Sequence, residues 1–161
     1  MNIRHDMIQC HVARRSGSTH EFLQLLRSPG RYMERTWQLV AGGIIAPETA
    51  WQAALRELRE ETALRPAALY QLNTVNVFYI AKLDALVHSP AFCAIVDRAS
   101  EVKLNDEHSD FRWEPRNELE SKLMWPAERV AFAELCREIL DDGPAKPYLH
   151  IPLDPLEEPS R

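Results

Sequence analysis

The apolar and polar positions divide the chain into short segments. Met7–Arg15 and Glu21–Arg27 read as two strands, with Ser16-Gly17-Ser18-Thr19 as the hairpin turn between them. Ser28–Arg35, containing Pro29-Gly30, is a polar loop, and Thr36–Ala41 is a short strand running into Gly42-Gly43. From Thr49 to Thr62 the period becomes helical. Trp51, Leu55, Leu58 and Thr62 fall at i, i+4, i+7 and i+11, with Ala50 and Ala54 flanking the stripe. Pro47 precedes this helix and Pro66 closes it. Ala68–Leu83 is strand material rich in Val, Tyr, Phe and Ile, and Phe92–Asp97 is a further strand. The polar stretch Leu104–Ser109 leads into a strand through Phe111-Arg112-Trp113, and Pro126–Leu140 forms a second helix with a broad apolar face. From Gly143 onward there are five prolines in nineteen residues, so that tail is extended rather than helical. Mixed strands with one helix in the middle and one near the end predict a single α/β (α+β mixed) domain over residues 1–143, followed by a Pro-rich tail over 144–161.

Composition narrows the class. The 161 residues are 45% apolar and 27% charged, average for a globular domain. A net charge of −5 argues against a nucleic-acid-coating role. Cys10, Cys93 and Cys136 are odd in number and widely spaced, which argues against a disulfide framework or zinc site and for reduced thiols in a cytoplasmic protein. The N-terminus has no apolar core of a signal peptide, and no apolar run approaches 18 residues, so neither secretion nor a membrane partner is expected. Glycine is scarce, five in all, yet Gly42 and Gly43 are adjacent, which points to a place needing unusual backbone freedom.

The candidate chemistry lies on the central helix. Glu57, Glu60 and Glu61 stand at i, i+3 and i+4, so their carboxylates share one face. Glu57 and Glu61 repel each other at that spacing, and acids near a helix C-terminus face the unfavourable end of the macrodipole. A cation among them resolves both penalties, and hard oxygen donors suit Mg²⁺ or Mn²⁺.

The run GGIIAPETAWQAALRELREETAL resembles the signature of the Nudix hydrolase family, G-x5-E-x7-R-E-U-x-E-E-x-G-U with U apolar. Gly42, Glu48, Arg56, Glu57, Leu58, Glu60, Glu61 and Leu64 match, and Ala63 stands where the second glycine belongs. The resemblance implies a mixed β-sheet sandwiched between helices and a Mg²⁺-dependent hydrolase of diphosphate linkages, with Mn²⁺ as an alternative ion. It implies that Glu57 and Glu61 are metal ligands and Glu60 a third. Gly42 presents its backbone to the metal and phosphates, and Arg56 orients a carboxylate, Glu48 being the candidate. The family also brings a carboxylate from a distant loop, here Glu107, with Asp106 and Asp110 as competitors. Glu60, Glu107 and Arg56 therefore form the expected catalytic set. Ala63 lies past the ligands, so activity should survive the missing glycine.

The stretch Thr36–Gly42 (TWQLVAG) and Glu107-x5-Trp113 resemble the dihydroneopterin triphosphate and dATP pyrophosphatases of that family. This implies a nucleoside or pterin triphosphate cleaved to a monophosphate and pyrophosphate. Ala41 and Arg27 are then candidates for substrate binding, with Arg31 and Arg35 as alternatives to Arg27, and Phe78 or Tyr79 as stacking partners for the ring. Diadenosine polyphosphate or ADP-ribose hydrolysis, or a non-catalytic nucleotide-binding module, are the alternatives. Many family members are dimers, so a homodimer is a further expectation.

Overall fold

The computed structural model describes residues 1–153. A short first strand, β1 (Asn2–Arg4), precedes the hairpin of β2 (Met7–Ser16) and β3 (Thr19–Arg27). Thr36–Ala41 is not one strand. It divides at Leu39 into β4 (Trp37–Gln38), paired with β3, and β5 (Val40–Gly43), paired with β2. The division follows from geometry, because β2 and β3 pair only from Ala13/Phe22 to the turn and the segment fills the gap where they part.

Helix α1 (Ala50–Thr62) starts at a Thr49 capping box, in which Gln52 N donates to Thr49 Oγ1 and Thr49 N donates to Gln52 Oε1. It ends at Ala63, which takes the left-handed conformation (φ 59°) and donates its N–H to Arg59 O. Pro66 therefore does not close the helix but opens β6 (Pro66–Ile80). β7 (Ala85–Val96) begins well before the expected Phe92, since its first half pairs with both β1 and β6. β8 (His108–Pro115) lies against β3 and leads into α2 (Arg116–Lys122), a helix the sequence pattern did not reveal. The expected 126–140 helix is α3 (Pro126–Leu135) continued by a π-type stretch over Cys136–Leu140. The tail is not uniformly extended: α4 (Lys146–Leu149) makes one helical turn, and β9 (His150–Ile151) pairs with Leu69 and Tyr70 of β6. Residues 154–161 of the expected tail lie outside the described residues.

The strands form one mixed sheet in the order β4-β3-β2-β7-β6-β9, with β5 also on β2, β8 on β3 and β1 on β7; β7 runs parallel to β2 and β1. The period-two alternation of the strands gives the sheet two apolar faces. Ile8, Cys10, Val12, Leu23, Leu25, Phe92 and Ala94 pack with Ala53, Ala54 and Leu58 of α1. Ala13, Phe22, Ala91 and Cys93 pack with Leu119, Leu123, Phe132 and Leu135 of α2 and α3. The result is the expected α+β sandwich of helix, mixed sheet and helices. Among the described residues no helix is long and apolar enough to cross a membrane.

Candidate active site

The buried stripe of α1 is displaced from the one the apolar residues alone suggest. Ala54, Glu57, Leu58 and Glu61 lie at i, i+3, i+4 and i+7, and all four are buried. Two carboxylates thus occupy positions that the packing period assigns to apolar side chains. Glu57 is 9% exposed and Glu61 1% exposed. Such burial is costly unless the charges gain partners.

Glu57 faces β5 at Gly42, where any Cβ would overlap the Glu57 carboxyl group. The glycine pair therefore has a different origin from the one composition suggested. Neither Gly42 nor Gly43 has a positive φ; the positive-φ glycines are Gly17 and Gly30. Gly42 is required for space, not for backbone freedom, while a Cβ at Gly43 would meet only Asp6 O at an ordinary 3.6 Å.

Arg56 is the hub of the loop and helix. Its Nη2 donates to Glu48 Oε1 at 2.7 Å and to Gly43 O at 2.7 Å, and its Nε donates to Glu48 Oε2 at 3.1 Å. Its Nη1 donates to Glu57 Oε1 at 2.7 Å and Glu60 Oε2 at 3.1 Å. Glu48 also accepts from Ile45 N at 2.7 Å, so one guanidinium fastens the 43–48 loop to the helix and aims Glu57. These bonds raise the Arg56 pKa and hold Glu48 below the usual carboxylate range. Glu60 projects from the rim of the helix, half exposed, with Arg56 as its partner.

Glu107, in the loop ahead of β8, comes within electrostatic range of Glu57 and Glu61. Its Oε2 accepts from Arg27 Nη1 at 2.8 Å, and its carbonyl accepts from Ser28 N at 2.9 Å. Asp106 faces outward to Arg31 at 2.5 Å, and Asp110 is an exposed residue of β8. Burial pushes the Glu61 carboxyl up to about 9, reinforced by the charges of Glu57 and Glu107 and opposed by Arg27 and by a hydrogen bond from the Ala41 backbone. Burial likewise raises Glu57. Glu57, Glu107, Arg27 and the Ala41 backbone thus all act on Glu61, and Asp106 and Asp110 are not part of that set.

Phe78 and Tyr79 separate. Phe78 is half-buried on the face shared with α2 and α3, whereas Tyr79 faces the other way, is 54% exposed and donates its hydroxyl to Asp84 Oδ1 at 2.9 Å. Arg35 is exposed in the 28–35 loop at φ 60°.

Among the described residues no three His, Cys, Asp or Glu side chains already converge at metal-ligating spacing. Glu57 and Glu60 are paired with Arg56, and Glu107 with Arg27. Glu61 Oε2, however, is buried without a hydrogen-bond partner. An orphaned carboxylate oxygen among further carboxylates is a hard, anionic donor set, and it fits a divalent cation. Sequence reasoning had no access to the Arg27–Glu107 pair, because 80 residues separate its members. The double engagement of Glu48, by contrast, was visible in part through its fixed spacing to Arg56.

A family model described as the NUDIX domain matches residues 9–135. The proposed mutator protein MutT4 of Mycobacterium tuberculosis is 33% identical over 116 residues, covering 68% of this chain and 46% of that protein. The chain spans less than half the length of the curated relatives it matches. Among solved structures, a proposed Nudix hydrolase from Listeria monocytogenes aligns with TM-score 0.69 and 23% identity, covering 85% of this chain and 95% of that one. The Ap4A hydrolase of C. elegans aligns with TM-score 0.70 and 18% identity, covering 88% and 99%. At these identities the structural likeness speaks for the fold alone.

Proposed function

The chain belongs to the Nudix domain family, and from that premise we propose that it is a Mg²⁺-dependent pyrophosphohydrolase releasing pyrophosphate from a nucleoside or pterin triphosphate. The observation that carries this reading is the pair Glu57 and Glu61, buried on the core-facing stripe of α1 against Gly42, with Glu61 Oε2 unpartnered. Arg56 pairs with Glu57, but among the described residues no ion pair reaches the buried Glu61 Oε2, and a divalent cation shared by the two carboxylates supplies its partner.

Glu57 and Glu61 hold the ion, with Glu60 at the rim. When bound, it neutralises charge on the phosphate oxygens and lowers the pKa of the attacking water. Arg56 fixes the Glu57 carboxylate and ties it to the 43–48 loop, so its part is orientation. Gly42 leaves the gap through which backbone and carboxylate approach the phosphates. Glu107 stands opposite the helix as the general base for water, and Arg27, its partner in the free protein, turns to the phosphates of the substrate. Ala41 lends its backbone beside Glu61.

The experiment is a panel of nucleoside triphosphates, dihydroneopterin triphosphate, dinucleoside polyphosphates and ADP-ribose, assayed for phosphate products with Mg²⁺. Turnover of triphosphates to pyrophosphate supports the reading. Turnover of dinucleotides without triphosphates replaces the substrate class, and binding without turnover of any member replaces the enzyme with a nucleotide-binding module.

A further inference from the structure

The sheet face that α2 and α3 cover carries a group of polar side chains just beyond the end of α3. The transition sits at the bulge of β6 between Gln71 and Val75, where Glu134 accepts from Asn73 N at 2.6 Å and Thr74 N at 2.9 Å. Past it, Asn76 is registered with Ser89 of β7, and Gln9 of β2 is registered with Ala91, two residues along the same face from Ser89. Asn76 is 2% exposed and Ser89 0% exposed. Asn76 Nδ2 donates to Gln9 Oε1. Asn76 Oδ1 and Ser89 Oγ, both buried, have no partner among the described residues. A buried polar atom without a partner is destabilising, so two such atoms side by side, next to the amide of Gln9, call for a ligand.

Their position relative to the carboxylates is suitable. Gln9 pairs directly with Ala41 of β5, whose backbone hydrogen-bonds Glu61. Phe78, two residues from Asn76 on the same face, is half-buried and supplies an aromatic wall. We propose that Gln9 and Asn76, with Ser89 beside them and Phe78 as the stacking surface, read the hydrogen-bonding edge of the planar nitrogen heterocycle that carries the substrate's phosphates. The inference rests on the substrate class proposed above.

The chemistry of the pair sets what it accepts. One amide donating to the other leaves the oxygen of Asn76 and the NH2 of Gln9 uncommitted, an acceptor and a donor group. Turning both amides over gives the same outcome, because the couple still spends one donor on one acceptor. It is complementary to a ring edge that offers an acceptor next to a donor, such as a lactam N–H and C=O or a ring nitrogen beside an amino group. A methyl group on that edge removes the donor and fills the space.

The test is calorimetric binding of the natural nucleoside 5′-monophosphates, followed by the edge-methylated counterpart of the tightest binder. On the wild type the methylated compound binds at least tenfold more weakly. On Asn76→Leu the two bind equally, and Gln9→Met gives the same loss of discrimination if Asn76→Leu fails to fold. Equal binding of both compounds to the wild type, retained discrimination in a folded variant, or no binding of any monophosphate overturns the proposal. Hydrolysis is scored separately. Triphosphate turnover indifferent to edge methylation overturns base reading and leaves the hydrolase; edge-sensitive binding without turnover of any diphosphate-linked compound does the reverse.

Discussion

Gly42 lies against the carboxyl group of Glu57 so closely that no side chain fits between them. Gly42→Ala therefore pushes Glu57 out of its place, with overpacking of about 1–3 kcal/mol and a loss of activity larger than the loss of stability. Gly43→Ala, whose new methyl meets only Asp6 O at 3.6 Å, is tolerated. Thermal melts and steady-state rates on the two variants, side by side, check the contrast. Equal behaviour of both would remove the steric argument.

Arg56 makes a two-nitrogen contact with Glu48 and spends Nη1 on Glu57. Lysine keeps the charge but has no planar fork, so Arg56→Lys lowers kcat by about 10–100-fold. Glu48→Gln, which keeps the shape but not the charge, gives a smaller loss. Because both residues act on the carboxylate and the loop, the Mg²⁺ concentration for half-maximal activity rises in both variants. An Arg56→Lys enzyme with wild-type kcat would show that the fork is dispensable.

Ala63 sits at φ 59°, a conformation in which a Cβ costs roughly 1–2 kcal/mol. Glycine there relieves the strain at some entropic cost, so Ala63→Gly stabilises by about 1 kcal/mol, or about 2–4 °C in Tm for a chain of this size. Its kcat is unchanged, because Ala63 lies beyond the last glutamate. A lower Tm would contradict the assignment of strain.

His11 is 1% exposed beneath Phe132, with neither ring nitrogen hydrogen-bonded among the described residues. Burial pushes its pKa down to about 3. Between that value and the ordinary 6.5 the unfolded chain binds more protons than the folded one, so stability is full above 6.5 and falls as the pH drops toward 3. Two pH units below 6.5 the loss is on the order of 3 kcal/mol. His11→Leu removes that part of the acid sensitivity, seen as a smaller drop in urea midpoint between pH 7 and pH 4.5. An identical drop in both proteins would show that His11 is not the acid-sensitive group.

What the sequence revealed follows the range of the interactions involved. Gly42, Glu48, Arg56, Glu57 and Glu61 lie in one loop and one helix, so fixed spacing was enough to group them. The helix pattern, however, centred the apolar stripe on Trp51 and Leu55 and did not show that Glu57 and Glu61 face the core, since a carboxylate in a buried stripe reads as a surface residue. Glu107 meets Arg27 only after β8 has crossed to β3. Proline content made the tail look extended, which holds for β9, whereas Pro147 sits at the start of α4, where a helix tolerates proline. Helix α2 was hidden because its seven residues bury only Leu119, too short a pattern to carry a period.

In the proposed function, buried Glu57 and Glu61 hold a divalent cation for hydrolysis of a phosphate anhydride. The most direct test of that role is pyrophosphate release from the preferred triphosphate, with Mg²⁺ and with chelator, for wild type and Glu61→Gln, alongside nucleotide binding. The expected outcome is Mg²⁺-dependent release in the wild type, a loss of about 10²–10³-fold in Glu61→Gln, and retained nucleotide binding in that variant. Undiminished release in chelator, or a fully active Glu61→Gln, would contradict it.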